Sequence, residues 1–141
     1  MSEIKSFRDL IAWQVGMDTV VLTYELTKEF PVDERYGLIS QMRRCATSIP
    51  LNVAEGQGIC APKWTLRHVV TAIGSSCELD TQLEVAVRLR LVTRERSKAL
   101  ADSIDRVQKL LYGMRREKER RIGAVVASAG VLFFVCERLI R

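Results

Sequence analysis

Residues 40–58 of the chain read SQMRRCATSIPLNVAEGQG and carry two stripes at helical spacing. The apolar stripe, which begins just upstream, consists of Leu38, Met42, Cys45, Ile49 and Val53. The polar stripe consists of Gln41, Arg44, Ser48, Asn52 and Glu55. Pro50 lies inside the pattern, where proline removes a backbone donor, and Gly56 and Gly58 follow as stop signals. We predict a helix over about 35–55, kinked at Pro50 or split there, and favour one kinked helix because the apolar stripe keeps its phase.

Three more helices are predicted around this one. The first covers about 7–29, with Ser6 as its N-cap and Phe30-Pro31 as its end, because the residue before proline leaves the α region. Its bundle seam is Leu10, Trp13, Met17, Val20, Tyr24 and Thr27. The third covers about 62–91 and opens at Pro62, and the fourth covers about 94–118 with Thr93 as N-cap. The short connections favour antiparallel neighbours.

Glu78 and Gln82 lie one turn apart on the third predicted helix and match the polar character of the second. We predict a semi-buried structural polar network between these two helices, because a charge in such a place must be paired. Its predicted members are Gln41, Arg44, Ser48, Asn52, Glu55, Glu78 and Gln82. The alternative is that these side chains face solvent.

The end of the chain is apolar. Residues 122–136 contain no charge and span about 22 Å as a helix, less than the ~30 Å of a hydrocarbon core, which argues against a membrane span. We favour a helical extension that packs on the bundle or on a neighbouring subunit over a disordered tail. The predicted division is therefore a bundle over 1–121 and an apolar extension over 122–141.

The net charge of +5 is unevenly distributed. Residues 1–60 hold 6 Lys and Arg against 8 Asp and Glu, whereas residues 61–141 hold 16 against 9. The densest window, 106–121, contains seven cations and two glutamates. Such a run can neutralise phosphate on nucleic acid or anionic lipid, although the plainer interpretation is a solvated helix end.

Residues that usually carry chemistry are few and scattered. His68 is the only histidine, and Cys45, Cys60, Cys77 and Cys136 form no C-x-x-C pair. Isolated Cys and His residues make neither a metal site nor a nucleophile with its base, and no phosphate-binding loop occurs. We expect no catalytic residue, no metal and no cofactor. Unpaired cysteines and a polar N-terminus without a secretory signal predict the cytoplasm.

Four segments, 7–14, 30–38, 40–56 and 74–83, match the motifs of a known family in order and spacing. The chain resembles the four-helix-bundle proteins encoded in intervening sequences of bacterial 23S ribosomal RNA genes, whose superfamily includes the accessory protein of diversity-generating retroelements. The resemblance covers about 5–115 and implies an all-α, antiparallel up-down four-helix bundle that assembles into a ring, as a homopentamer. It also implies RNA and a reverse transcriptase as partners. It does not extend to the apolar C-terminal extension.

The cations that could contact RNA are Arg43, Arg44, Arg67, Arg88, Arg90, Arg94, Arg106, Lys109, Arg115 and Arg116. Contacts to the RNA backbone alone give salt-sensitive binding with little sequence selectivity. Trp64 and Tyr112 are the only aromatic residues among the cations of residues 61–121, so few rings are available for base stacking. Two functions remain: a self-assembling RNA-binding bundle, or a purely structural homo-oligomeric module without nucleic-acid binding.

Overall fold

The computed structural model describes residues 6–59 and 61–139, with side chains as far as Val125. Helix α1 covers Ile11–Thr27, α2 covers Leu38–Gly58, α3 covers Pro62–Arg88 and α4 covers Arg94–Leu139. Two short 3₁₀ turns, Phe7–Asp9 and Val32–Arg35, precede α1 and α2. The described residues contain no strand. The predicted all-α four-helix bundle is confirmed.

Each helix packs against its two neighbours and against neither diagonal partner in the described part of the chain. Contacts between Thr19 and Ser103, and between Glu29 and Arg96, show that α1 and α4 are antiparallel. The core is built from aliphatic side chains of α2, α3 and α4, with Met42, Ile49, Leu79 and Leu111 inaccessible to solvent. Each such side chain contributes about 1.5–3 kcal/mol by burial.

The predicted face of α1 was wrong. The helix buries the neighbouring stripe of mostly small residues: Ala12, Val15, Gly16, Thr19, Thr23, Leu26 and Thr27. Of the predicted seam, Thr27 is buried, whereas Leu10, Trp13 and Val20 are only partly covered and Met17 and Tyr24 are exposed. Small residues occupy the buried face because α1 lies close to α2: a Cβ on Gly16 would already be 3.4 Å from the Pro50 Cβ. 

Burial of threonine on this face costs little because the hydroxyls find partners within the helix. The Thr19, Thr23 and Thr27 hydroxyls donate to the carbonyls one turn back at 2.7–2.8 Å. Such bonds satisfy the only polar atom in each side chain. The small-residue stripe of α1 can therefore be buried in the core although its hydropathy is low.

Helix α2 passes Pro50 without a break, as we favoured, and begins and ends later than predicted. Residues 32–35 form a 3₁₀ turn instead, and the Glu34 carboxylate accepts the Leu38 N–H at 3.0 Å, which caps α2. Gly56 does not stop the helix. It lies within α2 because α3 approaches it closely: a Cβ there would be 3.0 Å from the His68 Cβ, and the Thr65 hydroxyl donates to its carbonyl at 2.8 Å.

The remaining helix ends show which capping predictions were correct. Ser6 caps through a capping box with Asp9, but the capped element is the 3₁₀ turn, and α1 begins only after the extended Leu10. Pro62 opens α3, and the Thr93 hydroxyl accepts the Arg96 N–H at 3.2 Å at the start of α4.

Helix α3 ends at Arg88, three residues earlier than predicted. Arg90 adopts the left-handed conformation with φ of 59°. The Arg90 and Leu91 amides donate to the Val87 and Ala86 carbonyls, both at 3.0 Å, which is a Schellman motif with arginine in the place that glycine usually takes.

Helix α4 continues without a break past the predicted end at 118, to Leu139. With 46 residues against 27 in α3, it extends well beyond the start of its antiparallel neighbour. The predicted packing of residues 122–141 falls mostly on side chains outside the described ones, so the division at 121 stays a prediction. In the part of the chain that the structure describes, no helix combines the length and the apolarity needed to cross a membrane.

Candidate functional site

Polar side chains line the contact between α2 and α3 at three successive levels, which we call the polar seam. The Cys45 thiol donates to Glu78 Oε2 at 3.0 Å, and one turn further along α2 the Ser75 hydroxyl donates to Ser48 Oγ at 2.9 Å. At the far end His68 Nδ1 lies 3.1 Å from Asn52 Oδ1 and 3.4 Å from Glu55 Oε2. The seam therefore links residues 45–55 of α2 to residues 68–78 of α3.

The structure brings most of the predicted network together at this seam. The Asn52 amide donates to the Ser48 carbonyl at 2.9 Å and to Ser48 Oγ at 3.1 Å, which joins two levels. Arg44 and Gln41 instead bond each other at 2.8 Å on the exposed side of α2. Gln82 is half-buried, and its Oε1 has no hydrogen-bond partner among the described residues.

His68 and Ser75 are members of the seam that sequence reasoning missed. Both lie in register with Gln82, at steps of seven residues back along α3, so a longer search for the heptad repeat would have found them. The pairing of His68 with Asn52 and Glu55 depends on the alignment of two helices. No local pattern predicts that alignment.

The Cys45 thiol is held in its protonated form. Burial raises its pKa to about 11, and the neighbouring Glu78 carboxylate adds to the rise. A thiol with this pKa is a hydrogen-bond donor at neutral pH and a poor nucleophile. No group of three or more His, Cys, Asp or Glu that could hold a metal ion occurs among the residues described.

The ten predicted RNA-contacting cations do not form one patch. Arg88, Arg90 and Arg94 lie at the turn between α3 and α4, whereas Arg116 lies about 33 Å further along α4. Because α3 and α4 are antiparallel around this turn, Arg67 is at the level of Arg115, at the opposite end. Arg43 and Arg44 lie on α2, near the level of Glu78.

Several of these cations already have partners. Glu84 accepts from Arg88 at 2.9 Å and from Arg94 at 2.8 Å, and these two guanidinium groups, Arg94 first, hold the pKa of the Glu84 carboxyl below its usual value. Lys109 pairs with Asp105 and Arg115 with Glu119 in adjacent turns of α4. The Arg67 guanidinium lies 5.5 Å from the Trp64 ring centre.

An exposed basic stripe remains on α4. It consists of Arg106, Lys109, Arg116 and Arg120, which share one side of the helix over about 21 Å. Within the described side chains, Arg106, Arg116 and Arg120 form no ion pair with a carboxylate. They are therefore available to an external anion.

The outer side of α1 and α2 carries two adjoining grooves that meet at Thr47. The apolar groove has a volume of about 370 Å³ and is lined chiefly by Trp13, Met17, Val20, Pro50, Leu51 and Ala54. The Arg–Tyr groove has a volume of about 410 Å³ and is lined chiefly by Tyr24, Arg35, Tyr36, Ser40, Arg43 and Arg44. The large side chains that α1 keeps out of the core form much of the first groove.

The bundle and its motifs correspond to a defined family. The family model described as 23S rRNA-intervening sequence protein matches residues 8–113, which is most of the chain. The chain belongs to this family. The resemblance identified from the four motifs is thereby confirmed, and the part of α4 beyond 113 lies outside the matched region of this intervening sequence protein.

A solved structure supports the fold of the intervening sequence protein. It is a protein of unknown function from the S23 ribosomal protein family of Bacteroides thetaiotaomicron, 21% identical, with a TM-score of 0.68. The match covers 74% of this chain and 98% of that protein. No match was found among curated proteins.

Proposed function

We propose that this intervening sequence protein is a non-enzymatic, self-assembling bundle that binds structured RNA through basic faces. The observation that carries the proposal is the exposed stripe of Arg106, Lys109, Arg116 and Arg120 on α4. Arginine suits phosphate because its planar fork of donors matches two oxygens at once. The family description, which refers to 23S rRNA, points to the same class of partner.

Self-assembly is supported by the apolar groove between α1 and α2. Met17 is 40% exposed and Leu51 is 58% exposed, and the partly exposed Trp13 and Val20 line the groove beside them. Surfaces of this kind on a small protein usually mark an interaction site. We propose that a second copy of the chain covers this groove, within a ring that the family resemblance suggests is pentameric.

The purely structural module remains the second candidate function. It is favoured by the ion pairs that neutralise Lys109 and Arg115 and by the single Glu84 carboxylate that Arg88 and Arg94 share. In that case the apolar groove would be the functional surface and the remaining charge would only keep the assembly in solution. A reverse transcriptase as protein partner is a proposal that rests on the family resemblance alone. Action in the cytoplasm is a proposal that rests on the unpaired cysteines and the polar N-terminus.

Size-exclusion chromatography with light scattering, with and without a structured RNA, separates the two functions. An RNA-binding assembly takes up RNA at about 50 mM salt and releases it as the salt concentration rises. The reason is that the logarithm of the binding constant falls against the logarithm of the salt concentration, with a slope of about −0.9 per phosphate contact. An assembly that ignores RNA at low salt contradicts RNA binding and leaves the structural module.

A matched pair of double variants tests the basic stripe. We expect Arg106→Gln with Arg116→Gln to weaken RNA binding and reduce the salt slope by up to about 1.8, if each arginine contacts one phosphate. Arg88→Gln with Arg94→Gln removes the same charge at the other end of α4 and should have a smaller effect. Equal losses in the two double variants would mean that net charge, and not the stripe, binds RNA.

The apolar groove is tested by Leu51→Glu, which places a charge on an exposed residue that lines the groove. We expect the assembly to dissociate into monomers. Val70→Glu is the control, because Val70 is similarly exposed, at 46%, on α3 outside the groove. An assembly of unchanged mass in Leu51→Glu would show that copies meet elsewhere.

A further inference from the structure

We propose that the Arg–Tyr groove binds a single-stranded segment of RNA, with phosphate on its arginines and a base stacked on Tyr36. The groove is formed by α1, the 3₁₀ turn Val32–Arg35 and the first half of α2. This inference rests on the proposed RNA-binding function and gives it a second site, away from the stripe on α4. It also brings aromatic rings next to cations, in the half of the chain where the sequence shows no excess of positive charge.

Arg43 is held in place by two contacts with α1. Its guanidinium lies 4.5 Å from the centre of the Tyr24 ring, and its Nε donates to the Thr27 hydroxyl at 2.9 Å. The Thr27 hydroxyl in turn donates to the Thr23 carbonyl at 2.8 Å, which fixes its direction. Arg43 therefore loses little side-chain freedom on binding a ligand, and its two terminal nitrogens have no hydrogen-bond partner among the described residues.

The groove holds positive charge without a matching carboxylate. Across the described residues, none of Arg35, Arg43 and Arg44 forms an ion pair with Asp or Glu, in contrast to the arginines that share Glu84. Glu34, an acid in the turn, is engaged with the Leu38 amide at the start of α2. Three uncompensated guanidinium groups around one concavity favour an anionic occupant, and phosphate matches their donor geometry.

Tyr36 supplies the feature that selects a nucleotide strand over a simple anion. Its side chain is 88% exposed, and the Arg35 guanidinium lies 5.9 Å from its ring centre. A large aromatic ring exposed to this degree contributes little to the core, but it provides a face for a base. Stacking of bases on aromatic side chains is tolerant of sequence and improves affinity roughly 5- to 150-fold per base. Duplex RNA keeps its base faces covered, so unpaired segments fit and duplexes do not.

Fluorescence anisotropy with a labelled oligouridine and a duplex RNA tests this assignment. We expect Tyr36→Ala to weaken oligouridine binding by at least about fivefold and to leave duplex binding nearly unchanged. Tyr36→Phe keeps the ring and should bind as the wild type does. Arg43→Gln should weaken oligouridine binding and reduce the salt slope of that binding by about 0.7, the value for one phosphate contact on a single strand. Lys63→Gln is the control, because it removes one exposed cation that lies outside both the groove and the stripe on α4.

The outcomes separate this inference from the proposed function. Wild-type protein that binds neither RNA contradicts both. If the wild-type protein binds RNA and both Tyr36→Ala and Arg43→Gln bind oligouridine with unchanged affinity, only the inference about the groove is overturned. Loss of binding together with a fall in assembly mass by light scattering would mean that a second copy occupies the groove, which also overturns the inference. Tyr36→Ala changes an exposed side chain, so the test stands even if Arg43→Gln fails to fold.

Discussion

Replacement of Arg90 by glycine should stabilise the protein while removing one of the candidate RNA-contacting cations. Arg90 occupies the left-handed position of the Schellman motif at the end of α3, with φ of 59°. A side chain at such a position brings Cβ close to the following carbonyl oxygen. Among described residues the Arg90 side chain forms no ion pair, so its removal should cost little.

The expected gain follows from two opposing terms. The left-handed conformation costs a residue with a side chain about 1–2 kcal/mol, and glycine avoids this cost. Glycine in turn loses more backbone entropy on folding, by about 0.5–1 kcal/mol. We therefore expect Arg90→Gly to raise the free energy of unfolding by about 0.5–1 kcal/mol, which corresponds to a rise in Tm of about 2–5 °C for a domain of this size.

Urea denaturation followed by circular dichroism measures this change, with Arg90→Ala as the control. Alanine removes the same charge and keeps the strained conformation, so it should be no more stable than the wild type. A glycine variant that is no more stable than the alanine variant would refute the strain argument. Both variants should have the same RNA affinity, because they lose the same cation, so the pair also separates the effect of charge from that of stability.

Two further predictions concern the contact between α2 and α3. Gly56→Ala should destabilise the fold by about 1–3 kcal/mol, because the new Cβ would meet the His68 Cβ at 3.0 Å and the Thr65 carbonyl oxygen at 3.4 Å. Thermal unfolding measures this change. An unchanged Tm would show that α3 moves away freely. The pKa of the Cys45 thiol is about 11 in the folded chain, above the ordinary value of 9.0. Between pH 9 and pH 11 the unfolded chain therefore binds fewer protons than the folded chain, and the free energy of unfolding falls as pH rises. We expect a loss of at most about 2 kcal/mol over this range in urea titrations, and Cys45→Ala should remove it.

The candidate sites differ in how far the sequence predicts them. The polar stripe of α2 and the pair Glu78 and Gln82 were visible from spacing. Ser48, Asn52, Glu55 and Glu78 do lie at the polar seam, whereas Gln41 and Arg44 face solvent. The Arg–Tyr groove was not visible, because it joins Tyr24, Arg35 and Arg43 from three elements that meet only in the folded chain. The ten cations were easy to find, but the distance that separates Arg88, Arg90 and Arg94 from Arg67 and Arg115 follows from the antiparallel arrangement of α3 and α4.

The sequence by itself determined the four helices, the cap at Thr93, the start at Pro62 and the family, because these depend on local periodicity, local backbone chemistry and motifs. Only the tertiary structure decided which face of α1 enters the core. Both stripes of α1 have helical spacing, and hydropathy favours the one with Trp13 and Met17. Close packing of Gly16 on Pro50 favours the small residues instead, since the distance between two helices is set by both surfaces together and no single helix encodes it.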